Sequence, residues 1–484
     1  MRNVLWLCVV SAMLLPPARV DAQAQTAPRP GGDDTVARIV GQAMMRNDGM
    51  EFLETLTDRI GGRITGSPES RATAELIEKT LKEAGYDNAH LEEYKLSSVW
   101  QHGATTGEIV SPIKRALVIG SYGWVPGTPG AIEAAVSDYG APAEAKGSLE
   151  KFRGSAVIVD LRSNGSSTTY VGSRAVLAKQ LADAGAAAMF IVSDKPDRMV
   201  YTSAFGFYPH APLPVISIAS EDAALLRRLL AHGAVRVKLD VRNSFAPGPG
   251  TERNVTAELP GSEPGEWVVL TAHFDAWDPA QGANDNGAGV AVVLEAARIL
   301  KLLGVKPKHT IRFVFFSGEE QLSNGSRAYI ERHKDELDGT RAVFNIDLGA
   351  HRPLGFRIHG RTDMAEASKR LLKPLAPLGA DRVFLEADFD SDQETFIVAG
   401  VPVYSLFCEA GDYDARHHTI IDTYERVDPL MVKLQTAIFA VAGYTFANAA
   451  ERPGPRLKPA QVQELLKRTG LDELYKLEYE VNQP

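Results

Sequence analysis

Cysteine is nearly absent from this chain, which has only Cys8 and Cys408 among 484 residues. Cys8 lies in an N-terminal segment that we expect to be removed, so a disulfide within the mature chain is excluded. Cys408 ends the apolar stretch 401–408, and we interpret it as a small buried hydrophobic residue.

The chain also lacks an excess of positive charge. It has 52 lysines and arginines against 61 acidic residues, a net charge of −9 and a pI of about 5.7. Such a surface has no general attraction for nucleic acid or anionic lipid. The composition, 44% hydrophobic and 23% charged, is that of an ordinary globular protein with about two to four domains.

Long apolar runs are missing beyond the N-terminus, so we expect no membrane-spanning helix in the mature chain. The N-terminus has Arg2, an apolar run at residues 4–15 and small residues up to Ala24. This pattern predicts a cleavable signal peptide over residues 1–24, and hence a secreted or periplasmic protein. A membrane anchor is the alternative, but the run is too short for one.

Turn signals divide the remainder of the chain. The prolines and glycines of residues 247–250 precede alternating strand and helix patterns, which predict a largely parallel sheet with helices on both faces. We assign residues 35–110 and 246–450 to this α/β domain and residues 111–245 to a compact inserted domain. Residues 451–484 are predicted to form a peripheral tail.

The positions of the predicted elements follow from apolar periodicity. In the α/β domain we predict strands at residues 267–272, 310–316, 342–348 and 401–408, and helices at residues 35–56, 70–85, 288–303, 324–333, 365–375 and 431–449. In the inserted domain we predict strands at residues 118–119, 156–161, 187–192 and 235–241, and helices at residues 173–184 and 221–232.

Five residues of the kinds that bind zinc occur along the α/β domain: His273, Asp285, Glu320, Asp347 and His418. Four of them lie at or after the ends of predicted strands, where open α/β sheets gather ligands, and Asp285 lies in a turn that opens a helix. Two imidazoles and three carboxylates are what two zinc-like ions with one shared ligand require. Because this set is complete, a zinc thiolate at Cys408 is disfavoured.

Each of these residues alone has an ordinary explanation. Asp285 alone would be a helix N-cap, and the pair Glu319-Glu320 would be solvated. Asp347 is harder to dismiss, because a carboxylate in an apolar strand needs a buried partner. The coincidence of five such residues favours the metal site.

Two further carboxylates have predicted roles beside the ligands. Glu319 is a spare carboxylate next to Glu320, suited to take a proton from a metal-activated water. Asp275 follows His273 by two residues, so both side chains can face the same side of the strand end. Its carboxylate is predicted to accept the second imidazole N–H of His273. The alternative, Asp275 as a sixth ligand, would overfill the pair of ions.

Several motifs together resemble the M28 family of co-catalytic zinc peptidases. They are His273-Phe-Asp275, the turn at residues 282–289, Gly318-Glu319-Glu320, Asn345-Ile-Asp347 and His418-Thr-Ile-Ile-Asp422-Thr423. Residues 60–67, Trp277-Asp278 and the pair His417-His418 look like the plasma glutamate carboxypeptidase (carboxypeptidase Q) branch. The inserted residues 111–245, including residues 211–218, are similar to a protease-associated (PA) domain.

The resemblance implies a zinc exopeptidase fold, with a central mixed, largely parallel sheet flanked by helices, and two Zn²⁺ ions per chain. It implies that Asp285 bridges the ions, that His273 and Asp347 complete one site, and that Glu320 and His418 complete the other. It implies Glu319 as the general base and acid. The family often has a cis peptide after the bridging aspartate, here Asp285-Asn286.

The resemblance also bears on positions around the ligands. Asn286 and Gln393 stand where several relatives have Asp and His; neither is a ligand position, so the departures concern substrate contacts. Asp422 is expected to orient His418 or its loop. His417 stands where some relatives have a Tyr that supports the oxyanion, and it is either such a donor or a packed or solvent-facing neighbour.

These observations predict a secreted or periplasmic exopeptidase that hydrolyses short peptides as a carboxypeptidase or dipeptidase. An aminopeptidase with the same site, a one-zinc glutaminyl cyclase and a non-catalytic PA-domain receptor are the alternatives. The five ligands disfavour the cyclase, and the intact Glu319 disfavours the receptor. We expect a short peptide as the partner, with no nucleic acid and no stable membrane insertion, and a homodimer is possible.

An aromatic loop in the inserted domain has two interpretations. It includes residues 200–202 and 204–209, with Phe205 and Tyr208 on either side of glycine. As a lid it would fold over the cleft, exclude water and limit substrate length. As an ordinary loop it would pack into the core of the inserted domain.

Overall fold

The computed structural model describes residues 34–140, 149–161, 167–205 and 211–481. Its framework is two eight-stranded sheets and a two-stranded ribbon. The predicted signal peptide, residues 1–24, lies outside the described residues, as does Tyr208 of the aromatic loop.

The first sheet is mixed, with a parallel centre. In order across the sheet its strands are His90–Leu96, Gly250–Leu259, Thr310–Phe316, Trp267–His273, Thr340–Asn345, Val403–Cys408, Pro353–Arg357 and Arg382–Phe384. The four central strands from Thr310–Phe316 to Val403–Cys408 pair in parallel, while antiparallel pairs join them to their neighbours on both sides. The predicted α/β class with a mixed, largely parallel sheet is confirmed.

Helices cover both faces of this sheet. Alternate residues of the strand Trp267–His273 belong to different hydrophobic clusters: Val268 and Leu270 to one, Val269 to the other. Both faces are therefore apolar, which explains why the central strands are mostly hydrophobic and do not alternate with polar residues. The α-helices outside the second sheet are Asp34–Met45, Gly49–Thr55, Pro68–Glu83, Ala288–Leu302, Asn324–Arg332, Ala365–Leu372, Gln393–Val398, Tyr413–Arg416, Pro429–Asn448, Pro459–Thr469 and Asp472–Tyr475.

The helix Pro429–Asn448 corrects one expectation. By length and composition it could cross a membrane, so the sequence does contain one such stretch after the N-terminus. Most of the helix is buried against Ala288–Leu302 and the strand Trp267–His273, with Ile438, Phe439 and Val441 fully enclosed. It has the environment of a core helix.

The C-terminal segment, residues 451–484, also differs from expectation. Its helix Pro459–Thr469 places Val462, Leu465 and Leu466 in the hydrophobic cluster that contains Val269. The apolar face of an amphipathic helix needs a surface to bury it. The described part of this segment, residues 451–481, therefore contributes to the core on one face of the first sheet and is not a peripheral tail.

The second sheet is formed by residues 105–241, which we call the insert. Its strands, in order, are Arg115–Ala116, Thr105–Ser111, Arg236–Val241, Ile132–Gly140, Ser155–Val159, Ala188–Val192, Val215–Ile218 and Ile119–Ser121, with helices Ser167–Asp183 and Ser220–Leu230. The strand Thr105–Ser111 belongs to this sheet, because it pairs with Arg236–Val241. The insert therefore begins before residue 111, the predicted boundary. Trp100–Gln101 and Ser244–Phe245 pair where the chain enters and leaves the insert.

Candidate metal centre

The five candidate ligands meet at one edge of the first sheet. His273 is the last residue of Trp267–His273, and Asp347 lies two residues beyond Thr340–Asn345. Glu320 follows Thr310–Phe316, and His418 lies just after the short helix Tyr413–Arg416. Asp285 lies in the helical turn Ala283–Gly287. The carboxyl ends of the parallel strands bring these side chains together, as predicted from the sequence.

Asp285 lies between two histidine–carboxylate pairs. Its Oδ1 is 3.4 Å from Nε2 of His273, which is 3.0 Å from Oδ1 of Asp347. Its Oδ2 is 3.1 Å from Nε2 of His418, which is 3.0 Å from Oε2 of Glu320. Each carboxylate oxygen of Asp285 thus faces a different pair, which is the geometry of a bridging ligand.

The donor set fits bound metal. Glu320 Oε1 is buried and has no hydrogen-bond partner among the described residues, and buried Asp285 Oδ2 has no well-aligned hydrogen bond, although His418 Nε2 lies 3.1 Å away. Buried carboxylate oxygens without partners are costly, and coordination of a cation would satisfy them. Imidazole and carboxylate donors suit zinc. The peptide Asp285-Asn286 is cis, as the resemblance implies.

His417 lies closer to the ligands than expected. Its Nε2 is 3.5 Å from Asp285 Oδ2, and its ring stacks on that of His418 with centroids 3.7 Å apart. Donor atoms of Asp285, His417 and His418 are close enough to share one ion. The geometry therefore permits His417 as a ligand as well as an oxyanion donor.

Asp275 holds the turn that carries Glu319 and Glu320. Its carboxylate oxygens accept the backbone N–H of Glu319 at 3.3 Å and of Glu320 at 3.2 Å, and the hydroxyl of Thr65 at 2.7 Å. His273 Nδ1 lies 3.1 Å from the Asp275 carbonyl oxygen and 3.6 Å from its carboxylate. The imidazole N–H thus reaches the backbone carbonyl, rather than the predicted carboxylate, because the carboxylate is engaged by the turn.

The loop that carries Asp285 is held from two sides. The carboxylate of Asp422 accepts the backbone N–H groups of Asn284 at 2.7 Å and Asp285 at 3.1 Å, so it orients Asp285 rather than His418. The guanidinium of Arg63, fully buried, donates to the carbonyls of Phe274 and Gly282. Burial lowers the pKa of Arg63 to about 10. Sequence reasoning gave Arg63 and Thr65 no role of their own.

Burial and crowding of like charges perturb the acids of the site. Burial, reinforced by Asp347 and Glu320, holds the pKa of Glu319 well above its ordinary value, although the nearby His273 opposes this. Burial raises the pKa of Asp422 to about 6. For His273, burial favours the neutral form, but Asp347 and Glu319 outweigh it and hold the pKa well above the usual range. The excess of negative charge at this edge suits a cationic occupant.

Four of the five candidate ligands, all except His273, line a cleft of about 380 Å³. Glu319, Tyr413 and His417 line it, together with Asp390, Glu394 and Glu478. The described residues that line the cleft include no lysine or arginine. Tyr413 and Glu478 were missed from the sequence, because they reach the cleft from a short helix and from the C-terminal segment.

Among the described residues of the aromatic loop, Tyr201 and Thr202 contact His418, and Ala204 lines the cleft. The ring of Tyr201 stacks on His418 with centroids 5.2 Å apart, and the backbone N–H of Thr202 donates to the His418 carbonyl at 3.1 Å. Phe205 is fully buried in the core of the insert beside Tyr122. The predicted lid role is therefore wrong for Phe205.

The two residues that depart from the family pattern, Asn286 and Gln393, lie close to the candidate ligand Asp347. Gln393, one of the two departures that the resemblance implies, accepts a hydrogen bond from Asn345 Nδ2 at 2.8 Å. Asn286 donates from Nδ2 to the Ile346 carbonyl at 2.8 Å. Both side chains are buried and brace the segment 345–347 that carries Asp347.

Comparison with known proteins agrees with this geometry. Residues 254–442 match peptidase family M28. Carboxypeptidase Q of Xenopus laevis is 30% identical over 84% of this chain and 87% of its own length. Carboxypeptidase Q of Mus musculus is 28% identical over 87% of this chain and 90% of its own length. The crystal structure of a peptidase M28 precursor from Shewanella amazonensis is 26% identical, with a TM-score of 0.78 over 88% of this chain and 98% of its own. The chain therefore belongs to peptidase family M28 and is a metallopeptidase.

Proposed function

We propose that the chain is a secreted exopeptidase that binds two zinc ions and hydrolyses short peptides as a carboxypeptidase or dipeptidase. The observation that carries this proposal is Asp285, whose two carboxylate oxygens face two separate histidine–carboxylate pairs. A site for a single ion would not require a second histidine–carboxylate pair on the other side of Asp285. Carboxypeptidase Q, to which the chain is similar over most of its length, supports the substrate class.

Zinc ions bound here would lower the pKa of a water molecule and polarise the scissile carbonyl. His273 and Asp347 would hold one ion, Glu320 and His418 the other, and Asp285 both. Glu319 lines the cleft directly beside Glu320, so its carboxylate can take a proton from the attacking water and return it to the leaving amine. Asp275 fixes Glu319 and Glu320 through their backbone N–H groups. His417 lies where it can donate to the developing oxyanion or add a ligand.

A second candidate is an aminopeptidase, because acidic side chains line the cleft. Asp390, Glu394 and Glu478 line it without any lysine or arginine among its described lining residues, although Glu394 is paired with Arg327 at 3.3 Å. Burial raises the pKa of Asp390 and of Glu478, and the ammonium of a free N-terminus bound beside them would favour their charged forms. A carboxypeptidase needs a cation for the terminal carboxylate, and Lys195 of the insert is a candidate, because its ammonium donates to the carbonyl of the lining residue Asp414.

A panel of peptides tests the proposal and separates these candidates. Free dipeptides, N-blocked peptides and C-amidated peptides would be incubated with the zinc-loaded protein, and Glu319→Gln would serve as the inactive control. Hydrolysis of N-blocked peptides but not of C-amidated ones supports a carboxypeptidase, and the reverse supports an aminopeptidase. A dipeptidase would require both free ends. No hydrolysis of any of the three classes by zinc-loaded protein would refute the exopeptidase proposal.

The location of the protein needs its own test. We propose that residues 1–24 are cleaved, on the basis of Arg2, the apolar run and the small residues that follow it. Sequencing the N-terminus of the mature protein from the extracellular or periplasmic fraction would show a start close to residue 25. Full-length protein retained in the cytoplasm would contradict secretion.

A further inference from the structure

One half of the metal centre is supported by a tryptophan. The indole Nε1 of Trp277 donates to Oε2 of Glu320 at 2.5 Å, and the indole ring meets the His418 ring edge-on with centroids 6.0 Å apart. Only 5% of Trp277 is exposed. A hydrogen bond to a carboxylate ligand fixes the orientation of that ligand and thereby affects its affinity for the ion.

The insert fixes the position of this indole. Trp277 belongs to a hydrophobic cluster with Ile64, Trp100 and Trp124, and the ring of Trp124, from the insert, lies edge-on to it at 6.1 Å. Gly123 of the insert abuts the indole so closely that a Cβ atom there would lie 2.2 Å from its Cη2. The docked insert therefore sets how near the indole N–H comes to Glu320.

A second contact of the insert reaches the same half. The Tyr201 ring stacks on His418, and the N–H of Thr202 donates to its carbonyl. By contrast, the described polar partners of His273 are Asp275, Asp285 and Asp347, all within the α/β part of the chain. Support from the insert is thus concentrated on Glu320 and His418.

We propose that Trp277 is a positioning residue through which the docked insert holds the Glu320–His418 half of the centre, so that the affinity of this half for its ion depends on the insert. The inference rests on the proposed two-zinc function. Removing a partner that orients a ligand weakens metal binding by about 10- to 100-fold. Because the His273–Asp347 half lacks these contacts, its affinity should change little.

Trp277→Phe tests this role, with Trp267→Phe as a matched control. Both changes remove an indole N–H that donates to a carboxylate, but the partner of Trp267 is Glu258, at 3.2 Å, and Trp267 lies at the opposite end of the strand Trp267–His273 from the candidate ligand His273. Zinc affinity would be measured by competition with a chromophoric chelator, and circular dichroism would verify folding. We expect Trp277→Phe to keep one tight ion and bind the second about 10- to 100-fold more weakly, whereas Trp267→Phe keeps both affinities within about threefold.

Gly123→Ala provides a variant that touches no ligand. Its new methyl group would push the indole away, so we expect the same selective weakening of the second ion. Wild-type affinity for both ions in Trp277→Phe and in Gly123→Ala would overturn the inference, as would an equal loss in Trp267→Phe. If Trp277→Phe does not fold, Gly123→Ala decides alone. A wild-type protein that binds only one ion would instead refute the two-zinc proposal.

Discussion

Glu319→Gln is the substitution that isolates the proposed chemistry from binding and folding. Glutamine has the size of glutamate, and the backbone N–H of residue 319 would keep its hydrogen bond to Asp275. In the metal-free protein burial already favours the neutral carboxyl of Glu319, with Asp347 and Glu320 adding to this effect. A neutral amide should therefore leave stability unchanged or slightly higher. The five ligands are untouched, so both ions should remain.

The loss should appear in turnover. General acid–base catalysis contributes about 10²- to 10⁴-fold to rate, and a loss of about 10³ in kcat corresponds to about 4 kcal/mol of activation free energy. The assay is peptide hydrolysis under saturating substrate, with zinc content and thermal unfolding measured on the same sample. Glu331→Gln, at a carboxylate that is 76% exposed on the helix Asn324–Arg332, is the control and should retain wild-type turnover. Near-normal turnover in Glu319→Gln with both ions present would refute the assignment of the base.

Other substitutions test the ligands and the packing. Asp285→Ala should lose more metal than any other single ligand change, whereas His273→Ala or Glu320→Ala should each deplete mainly one ion; two ions per chain in Asp285→Ala would rule out bridging. Phe205→Ala should lower the free energy of unfolding of the insert by about 3–5 kcal/mol, because Phe205 is fully buried in its core, and unchanged stability would restore the lid hypothesis. Leu466→Ala should cost about 2–5 kcal/mol, while Leu430→Ala, 53% exposed, should cost less than about 0.5 kcal/mol. Equal effects of the two leucine changes would contradict the buried C-terminal helix.

The sequence predicted the parallel centre of the fold because its strands are buried on both faces. Thr310–Phe316 and Trp267–His273 are mostly apolar and are followed by polar residues, so both the strands and the candidate ligands at their ends could be recognised. The outer strand His90–Leu96 is half-exposed and carries Glu92, Glu93 and Lys95, and no apolar run marks it. Its place in the sheet follows from pairing with Gly250–Leu259, a contact distant in sequence.

The chemistry of the site was predictable to the level of the ligands, but their support was not. A histidine or carboxylate at the end of a predicted strand can be recognised as a candidate ligand from its residue type and its position in the sequence. Arg63, Trp277 and Tyr201 act through neighbours that are far away in sequence, and their hydrogen bonds or ring contacts arise only when the parts of the chain dock. The burial of Phe205 likewise depends on packing against Tyr122, which no local pattern reveals.

The number of zinc ions bound per chain in fully active protein tests the central claim most directly. Asp285 faces the pair His273–Asp347 with one oxygen and the pair His418–Glu320 with the other, so the geometry calls for an ion on each side. Elemental analysis during stepwise addition of zinc to metal-free protein, followed together with peptide hydrolysis, should show activity reaching its maximum at two ions per chain. Full activity at one ion, with no further ion bound at these residues, would contradict the account.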